Sequence, residues 1–207
     1  MTFRAATSAI LTGVNKGHHY AGFPENSQDD YTAVLPSFEA GDLIAIFTVL
    51  INDTTFGIEI DQGDINQNKR WIMIDVGGAP DYRKAFYKIC AANEPAPIFR
   101  VSPGTKLYMI AASFFNVAGI NEFSFAAIPA DSYASPVTLD TTIGTTASYY
   151  IDGNSDIIHF IWSKPTTPAT WVSSSITAGY AEHALLTGAS TDYNLSAIIK
   201  NQALQDD

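Results

Sequence analysis

One nearly unbroken apolar run, Leu43-Ile44-Ala45-Ile46-Phe47-Thr48-Val49-Leu50-Ile51, constrains this chain more than any other stretch. The turn residues Ala40-Gly41-Asp42 launch it and Asn52-Asp53 stop it. A membrane-spanning helix needs about 20 apolar residues, so the run is too short to be one. Its Ile, Phe, Thr and Val content, with turn residues at both ends, predicts a strand buried on both faces. Such a strand belongs at the centre of a sandwich core.

The remaining pattern extends this reading along the chain. Residues 3–12 form a first strand with imperfect alternation. Residues 13–30 read as a long loop, because Gly13, Gly17, Gly22, Pro24 and Asp29-Asp30 interrupt any period. A loop of that length inside a compact domain is commonly functional, and His18-His19-Tyr20 lies at its centre. A short strand over 31–35 ends at Pro36, and strands follow over 55–61 and 70–76. Residues 82–92 fit both a helical and a strand period; their strand neighbours favour strand. Pro95 and Pro97 stiffen the linker at 93–97. Further strands are expected at 98–101, 106–116 and 122–128. A Ser/Thr/Ala/Pro-rich crossing at 129–145 leads to strands at 146–151, 156–162, 170–175, 180–186 and 193–199, then to a polar tail at 201–207.

Many strands at short spacing, with Gly, Pro, Asn and Asp turns, give an all-β class with a β-sandwich or jelly-roll-like architecture. A length of 207 residues suits one β-rich domain over 1–207. The strand order after 150 echoes the order before 129. An acidic turn precedes an apolar strand at Asp42 and at Asp156, tryptophan strands follow at Trp71 and Trp171, and an Ala/aromatic strand comes next. The echo is one of order and character. It leaves two pseudo-repeated halves, with a boundary near 129–145, as one reading; two ordinary runs of similar strands are the other.

Composition narrows the function classes. Only 15% of residues are charged, whereas 46% are hydrophobic and 12% aromatic, which excludes disorder and suggests a surface covered in part by something else. The formal net charge of −10, with no offsetting Lys/Arg cluster, argues against nucleic acid and anionic membranes as partners. The start, Met1-Thr2-Phe3-Arg4, lacks the basic and apolar regions of a secretory signal, so synthesis in a cytoplasm without export by the usual route is expected. The single cysteine, Cys90, reads as a small buried residue.

No catalytic, cofactor or metal site emerges. No nucleophile elbow, phosphate loop, dinucleotide fingerprint or zinc-protease motif is present. His18-His19 with Asp29-Asp30 offers metal-ligating types, but adjacent side chains on an extended chain point opposite ways. The oxygen-rich stretches 152–156 and 61–68 invite calcium, yet neither has the glycine at position six and glutamate at position twelve of an EF-hand loop. Asp152-Gly153 with Asn154 is also a preferred hairpin turn. Trp71, Trp162, Trp171 and ten tyrosines could stack on sugars; core and interface packing accounts for them more simply. The residues expected to reach a partner are His18, His19, Tyr20 and Phe23.

The chain resembles small virion structural proteins of tailed bacteriophages. The resemblance rests on the Gly41-Asp42-Leu43 turn before an apolar strand, the Trp71 strand, and Tyr82-Arg83-Lys84-Ala85-Phe86-Tyr87-Lys88. Ala92-Asn93-Glu94-Pro95 and the Ile110-Ala111-Ala112-Ser113-Phe114 strand complete it. It spans residues 38–128 and is echoed over 150–200. It departs from the pattern where Arg70, not glycine, precedes Trp71. The resemblance implies a non-enzymatic capsid-decorating or tail protein in the virion, without cofactor, assembled in the host cytoplasm and released by lysis. It implies capsid or tail proteins as partners, and a homotrimer or homodimer. The alternative is a receptor-binding module that stacks host glycans on exposed aromatics. A glycan-cleaving enzyme ranks third, since two carboxylates distant in sequence could still meet.

Overall fold

The computed structural model describes residues 2–20, 23–51, 59–61, 71–75, 83–117, 157–163, 180–187 and 194–200. Every regular element among them is a strand, and the chain is all-β as its pattern predicts. In order these are β1 (Thr2–Leu11), β2 (Val14–Tyr20), β3 (Phe23–Thr32), β4 (Leu43–Ile51), β5 (Glu59–Asp61) and β6 (Ile72–Asp75). There follow β7 (Arg83–Ile89), β8 (Ile98–Val101), β9 (Lys106–Phe115), β10 (Ile157–Ser163), β11 (Tyr180–Thr187) and β12 (Asn194–Lys200). Among the described residues no helix is long and apolar enough to cross a membrane.

The strands form a five-stranded sheet in the order β1-β9-β4-β7-β6, a four-stranded sheet β2-β3-β8-β5 and a three-stranded sheet β10-β12-β11. All recorded pairings are antiparallel. The apolar run is the middle strand of the first sheet, with β9 on one side and β7 on the other. Residues 42–50 are all buried. Because side chains alternate between faces, Ile44, Ile46 and Leu50 point one way. They pack with Leu107, Met109, Ala111 and Phe86 against Tyr31, Phe99 and Val101 of the four-stranded sheet. Leu43 and Ala45 point the other way and join Ala112 and Phe114, with Phe3 packed alongside. Burying each such side chain contributes about 1.5–3 kcal/mol, which is why a two-faced apolar strand settles at the centre. The sheet of β10, β11 and β12 lies against β1 and β9.

The ambiguous stretch at 82–92 is a strand over Arg83–Ile89, with Lys84, Phe86 and Lys88 buried in alternation. Phe86 reaches across to Phe99, ring centroids 5.1 Å apart, and so links the five- and four-stranded sheets.

The reading of 13–30 as a loop is corrected: β2 and β3 form a hairpin there. The glycines that break the sequence period are absorbed by local geometry. Gly17 adopts φ 72° where the register shifts between Asn15 and His18, and its N–H bonds the Asn15 Oδ1 at 2.8 Å. This bulge accommodates two extra residues, Lys16 and Gly17, without ending the strand. Gly13 answers a different need, since a Cβ there would lie 2.6 Å from the Tyr31 ring. The strand expected over 31–35 is instead the end of β3, which stops at Thr32. Trp71 lies just before β6 and is buried in the core.

The echo between the two halves does not extend to strand pairing. β4 pairs directly with β7, whereas β10 and β11 lie on opposite sides of β12. The expected strands at 122–128, 146–151 and 170–175, the crossing at 129–145 and the tail at 201–207 lie outside the described residues.

Candidate functional site

The hairpin of β2 and β3 is longer than the sheet that supports it. β3 pairs with β8 only over residues 29–32. Among the described residues, Phe23, Ser27 and Gln28 pair with β2 alone, and β2 is the end strand of its sheet. The outer part of the hairpin is therefore a two-stranded ribbon extending past the end of β8. Two-stranded ribbons are marginal in water without a third strand or a packed face. Register places His18 opposite Gln28, His19 opposite Ser27 and Tyr20 opposite Phe23. All four residues expected to contact a partner thus come together at the outer end of one hairpin.

The base of this hairpin is firmly held. Tyr31 is fully buried, and its hydroxyl donates to the Thr105 carbonyl at 3.0 Å. Thr105 in turn donates from Oγ1 to the Ser102 carbonyl at 2.8 Å. Asp30 stands opposite Arg100, with Oδ1 3.6 Å from the guanidinium Nε, and Arg100 stands opposite Glu59. A cation thus occupies a row between two acidic positions, so the acidic pair Asp29-Asp30 belongs to the hairpin's footing.

A second polar cluster lines an open cleft of about 570 Å³ between the start of β1 and the turn before β4. Arg4 Nε donates to Asp42 Oδ2 at 2.5 Å, and Arg4 Nη1 to Glu39 Oε1 at 3.2 Å. The guanidinium lies 4.9 Å from the Phe115 ring centroid. Asp42 Oδ2 also accepts the Glu39 N–H at 2.9 Å, and Gly41 completes the turn at φ 89°. Burial pushes the Asp42 carboxyl up, but the Arg4 guanidinium and the Glu39 amide outweigh it and hold the carboxyl below its ordinary value. The Arg4 guanidinium is held above its own, chiefly by the same bond to Asp42. Cation and anions are mutually satisfied, so the cluster acts as a clamp between β1 and the turn.

Cys90 is buried, and burial is the main cause pushing its thiol up to about 12, with Glu94 adding to the shift and Lys88 opposing it. A thiol in that state does not serve as a nucleophile near neutral pH. Lys88 Nζ lies 2.5 Å from Glu94 Oε1, and both side chains are nearly buried. Glu94 Oε2 also accepts the Ala91 N–H at 3.3 Å, tying the segment after β7 back to that strand.

Among the described residues no group of three or more His, Cys, Asp and Glu side chains could hold a metal ion. The candidate calcium stretch at 152–156 lies outside the described residues, as does nearly all of 61–68. Trp71 packs in the core, and Trp162 falls on β10. The Arg4–Asp42 clamp joins residues 38 apart with no local sequence signal. The inward lysines were visible in principle, because Lys84 and Lys88 share the period-two phase of Phe86.

The fold defines the class: an all-β protein with a two-faced central sheet and a projecting hairpin. Compared with protein-family models, curated proteins and solved structures, the chain matches none.

Proposed function

We propose that this chain is a non-enzymatic structural protein of a tailed bacteriophage virion, on the capsid surface or the tail. It works through protein–protein assembly contacts with other virion proteins and with copies of itself. The observation that carries this reading is the hairpin that outreaches its sheet and gathers His18, His19, Tyr20 and Phe23 at its far end. Among the described residues the outer ribbon has no third strand, and such a ribbon gains most from a surface supplied by a neighbour. The sparse charge and abundant aromatics fit a surface that is covered on assembly, and the resemblance over 38–128 points the same way.

The test is to purify particles of the virus that encodes the chain and measure its copy number by quantitative mass spectrometry. The expected result is a fixed number of copies per particle, reduced several-fold by Tyr20→Ser with Phe23→Ser. Particles free of the chain, with all of it left soluble in the lysate, would overturn the reading.

A further inference from the structure

The start of β1 is held differently from the rest of the strand. From Ala5 opposite Ser113 to Leu11 opposite Leu107 the ladder with β9 is unbroken, whereas Arg4 has no opposite residue and only Thr2 and Phe3 pair beyond it. A bulge of this kind re-aims a side chain and interrupts the pairing. Here Arg4 turns onto the segment before β4, where Nε donates to Asp42 and Nη1 and Nη2 donate to Glu39. Behind the bulge, the buried Ser113 hydroxyl donates to the Ser37 carbonyl at 2.7 Å and lies 3.3 Å from the Ala5 carbonyl, so β1 has its own tether at Ala5. Ahead of it, among the described residues, the strand relies on two ladder pairs, the Phe3–Phe114 edge contact at 6.1 Å and the Arg4 ion pairs. Those ion pairs line the open cleft, with the Glu39 side chain 74% exposed and that of Asp42 3%.

We propose that Arg4, Asp42 and Glu39 form an acid-released latch: protonation of the two carboxylates frees residues 2–4 from β9, while the strand from Ala5 onward and the core stay in place. The clamp sits on the interruption in the ladder, so its loss falls on two pairs and is not shared along the strand. Both anions belong to the turn, and Arg4 is the one cation on β1. Acid therefore removes the attraction and leaves a partly buried guanidinium beside neutral groups, which drives it out to water. Among the described residues, the titratable and charged groups that face Asp42 are Arg4 on β1, Glu39 in the turn and the Cys90 thiol beyond β7. The thiol, pushed up to about 12, stays neutral throughout, so no other charge takes over. Burial raises the Asp42 carboxyl, but Arg4 and the Glu39 amide outweigh it. The latch is thus closed at neutral pH and opens as pH falls below 3.8 through the folded value. Opening uncovers the β9 edge at Phe114 and Phe115, and an uncovered edge is a template for a further strand. The device belongs to the single chain and does not rest on the assembly reading.

The experiment is amide hydrogen exchange on the full chain, with rates at each pH normalised to those of the unstructured peptide. Between about pH 6 and about pH 2.5, protection of the segment 2–5 is expected to fall about tenfold or more, while that of residues 44–49 and 107–111 changes less than about twofold. Asp42→Asn is expected to open the same segment at about pH 6 without acid. Arg4→Gln is expected to leave it open at both pH values, so that its pH dependence disappears. Arg4→Gln changes a side chain in the open cleft, so it keeps the test decisive if Asp42→Asn does not fold. Protection of 2–5 that persists in acid, that is lost only together with the core strands, or that keeps its pH dependence in Arg4→Gln overturns the latch.

Discussion

Asp42 shows how one buried carboxylate is kept ionised. Its side chain is nearly inaccessible, and the guanidinium of Arg4 with the Glu39 amide compensates the lost water. Its folded value lies below the unfolded 3.8, so the stabilisation is complete above 3.8 and is lost as pH falls below it through the folded value. Asp42→Asn is expected to lower the urea midpoint at neutral pH and to flatten its fall between about pH 5 and about pH 2. Gly13 is constrained by space: a methyl group would also lie 2.7 Å from the Asp29 Cβ. Gly13→Ala is expected to cost about 1–3 kcal/mol in equilibrium unfolding through overpacking. Cys90 is expected to resist a thiol reagent at pH 8 in the folded protein and to react fully in denaturant; fast reaction in native buffer would contradict its burial.

At the scale of elements, β7 joins the two main sheets. Its Phe86 packs on Phe99 across the core, so Phe86→Ala is expected to cost about 3–5 kcal/mol by urea unfolding. Its Lys88 holds the turn at 91–94 through Glu94, where Asn93 sits at φ 60°. Removing one partner of a buried pair leaves the other charge uncompensated, so Glu94→Ala is expected to cost roughly 3 kcal/mol. A Lys88→Met/Glu94→Leu double variant is expected to recover part of that loss, because apolar replacement of the whole pair removes the burden of two desolvated charges. β8 illustrates the reverse economy: four residues suffice because Phe99 and Val101 enter the core while Arg100 faces Asp30.

At the scale of the whole molecule, stability and the proposed assembly role reside in different places. The core lies between the five- and four-stranded sheets, and the hairpin end lies beyond the reach of β8. Replacing residues 18–27 by a short turn, with the buried Gln28 kept, is therefore expected to change the urea midpoint little while abolishing self-association in sedimentation velocity. A large loss of stability in that variant would show that the hairpin end belongs to the folding unit.

The sequence by itself determined the elements whose signal is local. The run at 43–51 has too much apolar surface for any place but a sheet centre, and the strand at 98–101 is bounded by its own prolines and turn residues. The all-β class follows from many such stretches. Tertiary structure decided what depends on a partner distant in the chain. Gly13 lies between β1 and β2, where the Tyr31 ring leaves no room for a Cβ, and Gly17 is carried inside β2 by a bulge. Within the ambiguous stretch, Arg83–Ile89 became a strand because β4 offered a ladder on one side and Phe99 a packing partner. Arg4 found Asp42 38 residues away, and the hairpin that carries His18, His19, Tyr20 and Phe23 is anchored by the distant strand β8. Periodicity records which face of an element is apolar; only the packed chain decides which surface that face meets.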